Sequence, residues 1–380
     1  MKKKELKIGP KGGEEINRPL AGRKKNVFKE ESKMKRFKLL IIIGLLTIGL
    51  AGSIATIGFA QIKDKDTIVL SQASVIETLD PHASNTDTTV APLLNIYDGL
   101  TFRKPDGMIE PTLATKWERI DPITWKIYIR KGVKFHNGDL LTAEDVKFSL
   151  ERIRDLKTSR WMVTGKLIKS ISIIDDYTIE VETVEPYPVL MQNMHQVAIM
   201  DKKYMESHTS AIMHPMGTGA YKFIEWVSGD HLTLIANENY WGGVPPIKNV
   251  IFRPIVEAST RLAALLSGEV DIVMDVSPES ADRVKANPKL NLIVNPGRRV
   301  IFFGMNQRPG SPMNDLKVRR ALYMAINEDE IIEKVLEGYG APANQIVDPV
   351  CVGYNPDIKR LPYDPDGAKK LLAEAGYPHG

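Results

Sequence analysis

The sequence has one cysteine, Cys351, in 380 residues. One thiol cannot build a disulfide framework or a cysteine-rich metal site. Such a chain suits a reducing compartment, or export with a core large enough to need no cross-links. Several catalytic signatures are also missing. There is no Gly-x-Ser-x-Gly elbow, no glycine-rich phosphate loop ending in Lys-Ser/Thr and no His-Glu-x-x-His helix. The seven histidines are scattered. Met191, Met194 and His195, with Met213, His214 and Met216, offer soft donors, but methionine at such positions is usually core or pocket lining. Asp175-Asp176 and Glu225 show no spacing that would bring carboxylates together. Enzyme chemistry has no support in these residues, and no cofactor is expected. No solenoid-scale repeat occurs either.

A strong charge of one sign is absent from the total but not from the parts. The chain has 51 Lys+Arg and 47 Asp+Glu, a net charge of +4. Residues 1–60 hold 14 of the basic and 5 of the acidic side chains, so residues 61–380 hold 37 and 42, a balance of −5. The basicity is confined to the start, which removes the argument for a nucleic-acid partner. Hydrophobic residues at 43% and charged residues at 26% are ordinary for a globular chain. The length predicts two or three domains.

Long apolar runs are scarce, with one exception. Residues 1–33 are basic and hydrophilic and are expected to be disordered. Met34-Lys35-Arg36-Phe37-Lys38 then leads into Leu39 to Ala60, 22 residues without a charge. Residues 34–60 read either as a signal peptide cleaved after Ala60 or as an uncleaved membrane anchor. Met34 is a plausible true start. Ser53 stands where a lipoprotein signal needs cysteine. Under either reading the basic flank stays in the cytoplasm and residues from 61 onward work outside it.

Strand and helix patterns alternate through the remainder. Strands are expected at Asp66–Leu70, Thr124–Ile129, Val250–Pro254, Val270–Met274, Leu290–Val294 and Val300–Gly304. Hairpins are expected for Ile171–Ile174 with Tyr177–Val181, and for Tyr221–Val227 with Leu232–Ala236. Asp80 to Thr89 reads as a polar loop and Val90 to Tyr97 as a helix. Thr142-Ala143-Glu144-Asp145 resembles a capping box. Further helices are expected at Ala258–Leu266, from Ser277 to Lys285, and at Asp315–Ile326, Asp329–Leu336 and Pro365–Ala375. In the helix containing Arg319 and Arg320, Leu322, Tyr323 and Ile326 should face inward. His136 sits in Phe135-His136-Asn137-Gly138-Asp139, where turn stabilisation is expected rather than catalysis.

A set of short motifs runs in order along residues 77–380. It includes Leu79-Asp80-Pro81-His82, Tyr97-Asp98-Gly99-Leu100, Arg130-Lys131-Gly132-Val133-Lys134-Phe135-His136-Asn137-Gly138 and Gly217-Thr218-Gly219-Ala220-Tyr221. It continues with Asn239-Tyr240-Trp241-Gly242-Gly243, Leu266-Ser267-Gly268-Glu269-Val270-Asp271, Val318-Arg319-Arg320-Ala321-Leu322 and Tyr363-Asp364-Pro365. Each is weak alone. Together they resemble the extracytoplasmic solute-binding proteins of peptide/nickel-type ABC importers, family 5, of the oligopeptide/dipeptide-binding type.

The resemblance implies an α/β, two-lobe periplasmic-binding-protein-like fold of type II, with the second lobe incomplete in this chain. Its first lobe would span 61–299, with an inserted subdomain at about 93–200, and its partial second lobe 300–380. It implies a monomer that captures oligopeptides or dipeptides between the lobes, without catalysis, and delivers them to the transmembrane permease subunits of an ABC transporter. A metal chelate, haem or sugar as ligand, or a membrane-anchored sensory role, are the alternatives. The positions matching the cleft are Ser84, Asn85, Thr86 and Asp87, then Gly217, Thr218 and Gly219, then Phe302 and Asn306. Gly217 and Gly219 permit either a plain turn or a close approach to ligand. Ser84–Asp87 is either an exposed polar loop or a ligand contact. Of Phe302 and Phe303, one ring should face the cleft and one the core.

Overall fold

A computed structural model describes residues 66–295, 299–349 and 351–379. The expectations for residues 1–65 lie outside these. The strands are β1 (Thr67–Gln72), β2 (Thr101–Arg103), β3 (Ile109–Pro111), β4 (Ala114–Arg119), β5 (Thr124–Ile129), β6 (Ile168–Asp175), β7 (Thr178–Thr183), β8 (Tyr221–Val227), β9 (His231–Ala236), β10 (Asn249–Pro254) and β11 (Ile272–Val273). The helices are α1 (Asp87–Leu93), α2 (Ala143–Asp155), α3 (Met162–Leu167), α4 (Leu190–Asn193), α5 (Lys202–Ser207), α6 (Ala258–Ser267), α7 (Ala281–Lys285), α8 (Leu316–Met324), α9 (Glu328–Lys334) and α10 (Pro365–Glu374).

A five-stranded mixed sheet has the order β11-β1-β10-β9-β8. Its β1 runs parallel to β10 and β11, while β8, β9 and β10 form an antiparallel run. A four-stranded antiparallel sheet has the order β4-β5-β7-β6, and β2 pairs with β3 in a short ribbon. Local chemistry accounts for these elements. In β5, Trp125, Ile127 and Ile129 alternate inward. The β6–β7 turn is held by Asp175, whose Oδ1 accepts the Tyr177 N–H at 2.8 Å. In α2, Asp145 reaches back to accept the Thr142 N–H at 2.9 Å, closing the capping box. Gly268 ends α6 at φ 79, a left-handed cap that favours glycine.

Three apolar clusters underlie these sheets. One surrounds the four-stranded sheet and draws its members from Leu100 to Ile199. Another lies on the five-stranded sheet, from Ile68 and Leu70 to Val250 and Phe252. A small third one, with Leu262, Leu265, Val270 and Val284, covers the β11 edge. The chain passes between the first two within three residues. Tyr97 belongs to the five-stranded-sheet cluster and Leu100 to the other. On the return, Ile199 packs with the four-stranded sheet while Ala198 and Met200 pack with the five-stranded one.

Asp98 sits in that passage and is buried. Its Oδ2 accepts from the Thr218 hydroxyl at 2.8 Å and the Trp241 indole N–H at 2.9 Å. Its Oδ1 accepts from the Tyr240 hydroxyl at 3.3 Å, and its carbonyl accepts the Ile199 N–H at 3.0 Å. The Arg130 guanidinium stacks 4.5 Å from the centre of the Trp241 ring. Burial pushes the Asp98 carboxyl up from its usual range, and its donors offset that only in part. Gly99 completes the passage, because a Cβ there would lie 2.6 Å from the Met194 carbonyl oxygen.

The structure departs from expectation mainly after residue 286. The strands expected at Leu290–Val294 and Val300–Gly304 are not formed, since neither stretch finds a ladder partner among the described residues. Phe302 and Phe303 are 64% and 79% exposed, so both rings face outward rather than dividing between cleft and core. Alternation sorts side chains only where a sheet gives one face something to pack against. Among described residues 300–379, only Val318, Ala321 and Ala368 are buried apolar side chains. Leu322, Tyr323 and Ile326 are half-buried, and α8 packs on α10. Arg319 donates to the Met313 carbonyl at 2.7 Å, and Arg320 is exposed. Earlier in the chain, α1 begins at Asp87, inside the expected loop, and β11 is two residues long rather than five.

The passage through Asp98 yields a stability prediction. Asp98→Ala would strand three buried donors and should lower the unfolding free energy by about 3 kcal/mol or more. Trp241→Phe removes one donor and should cost about 1–2 kcal/mol. Urea unfolding followed by circular dichroism measures both. A loss below about 1 kcal/mol for Asp98→Ala would remove the carboxylate from its role as organiser.

Candidate functional site

The three parallel strands give the fold a direction. In α/β sheets, ligands bind in the crevice beyond the carboxyl ends of such strands. Those ends here are Gln72 of β1, Pro254 of β10 and Val273 of β11. The connection that follows β1 carries Ser84–Asp87.

This connection is braced from within. The Gln72 amide donates to the carbonyls of Ser74 at 2.9 Å and Thr88 at 2.7 Å. The Glu77 N–H donates to the Thr89 hydroxyl at 3.1 Å. The Ser84 hydroxyl donates to Glu77 Oε2 at 3.1 Å and lies 3.0 Å from the Thr86 hydroxyl. At the base, Arg152 grips Asp80 with two bonds of 2.9 and 2.7 Å. Burial pushes the Asp80 carboxyl up, but the Arg152 guanidinium outweighs it and holds the group below its usual range. The result is a firm stem with a polar tip: Ser84 is buried, while Asn85, Thr86 and Asp87 are exposed.

Gly217, Thr218 and Gly219 are all buried. A Cβ on Gly217 would fall 2.1 Å from the Ile96 carbonyl oxygen, and one on Gly219 would fall 2.5 Å from that of Asn95. The close approach these glycines permit is to the backbone just after α1. The Gly219 N–H donates to Ile96 O at 2.9 Å, and the Tyr221 N–H to Asn95 O at 2.9 Å. His136 clamps the turn from the other side. Its backbone N–H donates to Gly217 O at 2.9 Å, and its Nε2 lies 2.9 Å from Gly219 O. The turn and the Ser84–Asp87 tip are thus joined through α1, which begins at one and ends against the other.

Phe302 and Asn306 are not brought to this assembly by any hydrogen bond among the described residues. Asn306 is exposed, and its Oδ1 accepts the Arg308 N–H at 3.1 Å. A shallow depression of about 610 Å³ lies elsewhere, between the amino end of α2 and α5, lined by Asp139, Glu144, Asp145, Asp201, Lys202 and Lys203 among others. It contains none of the positions matched to the cleft. The bracing residues Gln72 and Glu77 were not among them either, since neither belongs to a motif with a chemical signature.

Met191 and Met194 pack in the apolar cluster of the four-stranded sheet. No group of three or more His, Cys, Asp or Glu among the described residues could hold a metal ion. No helix among them is long and apolar enough to cross a membrane.

Residues 108–380 match the model of the bacterial extracellular solute-binding proteins, family 5, middle. The chain belongs to this family. It is 31% identical over 350 residues to heme-binding protein A of Haemophilus influenzae, which covers 85% of this chain and 62% of that protein. It is 30% identical over 366 residues to the dipeptide-binding protein of Escherichia coli, covering 89% of this chain and 68% of the other. A solved member of similar shape is the ABC transporter-associated periplasmic binding protein DppA of Helicobacter pylori, in complex with the peptide STSA. It gives a TM-score of 0.72 at 30% identity, over 83% of this chain and 67% of that one. The chain therefore spans 62% of the length of the first relative and about two thirds of the others. The mixed α/β fold is that of the family's periplasmic binding proteins.

Two histidines in the braced region set an acid limit. His82 is fully buried, with Nε2 2.9 Å from the Ala198 carbonyl. Burial, with the Arg152 charge, pushes it down to about 4. Burial likewise pushes His136 down to about 4. In the unfolded chain both would protonate near 6.5. Between about 6.5 and 4 the unfolded state binds more protons, so stability is full above that window and falls as pH drops through it. Each imidazole accounts for up to about 3 kcal/mol. Asp98 and Asp145, raised by burial, act in the opposite sense at the acid end. The signature is therefore a difference: wild-type stability should fall more steeply from pH 7 to 4.5 than that of His82→Gln/His136→Gln. Equal slopes in urea titrations at both pH values would refute it.

Proposed function

We propose that this protein is an extracytoplasmic receptor that captures a small solute between two lobes and delivers it to the permease subunits of an ABC importer, without catalysis. Oligopeptides or dipeptides are the ligand class. The observation that carries this reading is the match of fold to DppA in complex with STSA, over 83% of the chain. The exposed polar tip Asn85–Asp87, on a stem braced by buried hydrogen bonds, suits the reading. A preorganised loop binds without an ordering cost. Asn85–Asp87, with Phe302 and Asn306 contributed from beyond residue 299, form the proposed ligand-facing set, and the buried Ser84 and Gly217–Gly219 are proposed to position it from beneath. The lobes are assigned to 61–299 and 300–380, with the insertion at about 93–200.

The relative named for heme supports a second ligand class on the same frame. Main-chain recognition of a peptide tolerates many side chains, whereas a planar macrocycle needs an apolar slot. Calorimetry with the peptide STSA, a dipeptide such as Ala-Ala and haem separates the two. Peptide binding in the micromolar range or tighter is expected. Haem binding alone would replace peptides with the second class, and no binding of any probe would overturn the receptor reading.

Residues of the tip give a sharper test. Asn85→Ala and Asp87→Ala should weaken peptide binding about tenfold. Both side chains are exposed, so the melting temperature should stay within about 2 °C. Unchanged affinity in both variants would clear the tip of any ligand contact.

The exported part is proposed to act as a monomer with no nucleic-acid partner, in keeping with its mild acidic balance. Its localisation is proposed as extracytoplasmic, directed by residues 34–60. Mass spectrometry of the mature chain should find Gln61 at the amino terminus. Retention of residues 39–60 would make the protein membrane-anchored and favour a sensory role.

A further inference from the structure

Arg261, in α6, is 4% exposed, and no ion pair holds its guanidinium among the described residues. Its partners are carbonyl oxygens from two separate connections. Nη1 donates to Ile255 O at 2.6 Å and Val256 O at 3.0 Å, both in the segment between β10 and α6. Nη2 donates to Asp275 O at 2.9 Å, just after β11. Nε is buried without a partner beside a cavity of about 10 Å³, bounded by Val273, Ser277 and Ser280, with room for at most one water.

A buried cation carries a desolvation cost that three carbonyls offset only in part. A second unfavourable feature stands beside it. Asp275 has φ 63, a left-handed conformation uncommon outside glycine. Neither is needed to fill the core, which Leu262 and Leu265 of the same helix already do. What the two features achieve together is a fixed distance between the β10 and β11 connections.

Those connections flank the one that follows β1. The Ile255 N–H donates to Gln72 O at 3.0 Å, and the Met274 N–H to Ser71 O at 2.9 Å. Each of the three presents an exposed apolar side chain within three residues of its strand end: Val75 at 38%, Val256 at 66% and Met274 at 44%. The strands they follow are neighbours in the sheet order β11-β1-β10, so these side chains stand past adjacent carboxyl ends, where a ligand crevice is expected.

We propose that Arg261 is the positioning residue of this crevice floor. Its planar fork holds Val256 and Met274 on either side of the β1 connection and so tunes ligand affinity without touching the ligand. The inference rests on the receptor reading given above. Lysine cannot replace the fork, because a single ammonium on a shorter stem cannot reach carbonyls on both connections in fixed directions.

The test uses the full chain, the peptide STSA and hydrogen exchange. Arg261→Lys should speed amide exchange locally in 255–257 and 274–277 and weaken STSA binding about tenfold. Leu265→Ala, an apolar truncation in the same helix, should lower the melting temperature yet leave affinity within about twofold. Equal loss of affinity in the two variants would reduce Arg261 to a stabilising residue. Wild-type exchange in both segments of Arg261→Lys would overturn the positioning role outright. Should the wild-type chain not bind STSA, the peptide reading fails separately, and the exchange of the free variant still decides for or against Arg261.

Discussion

The carboxylate of Asp98 is the constraint on which the two larger cores depend. It lies where the chain leaves the five-stranded sheet for the four-stranded one, and its acceptors gather the 218 turn and the 240–241 corner while its carbonyl takes the returning segment at Ile199. An apolar residue could fill the same space but could not fix direction. A carboxylate with three donors at set angles can, and it does so in a buried setting where each unmet bond is costly. The cost appears in the upward push on its own acidity. Specificity of this kind, at some expense of stability, is a recognised use of buried polar groups.

With the junction fixed, the remaining geometry follows outward. Thr218 is held by Asp98, so the glycines on either side of it are pressed onto the backbone after α1. That contact fixes the end of α1, and α1 carries at its start the exposed tip Asn85–Asp87. His136 closes over the same turn. A disturbance at the junction would therefore be felt at the tip through one short helix and one turn, a contiguous path of packed backbone rather than a long chain of side chains.

Sequence patterns made much of this readable, and where they failed the reason is physical. The capping box of α2, the hairpin over Asp175-Asp176 and the glycine stop of α6 depend on neighbours within a few residues, and each forms where local chemistry places it. The family likeness was legible because Tyr97-Asp98-Gly99-Leu100, Gly217-Thr218-Gly219 and Asn239-Tyr240-Trp241 stand in order along the chain. That these three motifs meet at one carboxylate was not legible. Nothing in a string reveals that a tyrosine and a tryptophan 142 and 143 positions away share an acceptor. The strand expected at 300–304 fails for the same reason in reverse, since an apolar alternating run becomes a strand only when a partner supplies the other half of each hydrogen bond. Arg261 escaped notice because a lone arginine in a helix is ordinarily solvated, and only its burial among carbonyls marks it.

The division of labour within residues 66–295 also bears on how one frame can serve different ligands. Family members about 30% identical to this chain are named for heme and for dipeptides. The junction contacts involve buried groups with every direction specified, so change there is destabilising. The three connections beyond β1, β10 and β11 are different. Their backbone is tied down by Gln72, Arg261 and the strand ends, while Val75, Val256, Met274 and the 85–87 tip project freely. Substitution at such positions alters the exposed size, polarity and charge at little cost to the fold. On the proposed receptor reading, ligand choice is carried by a few exposed side chains on fixed loops, while the buried polar groups hold those loops in place.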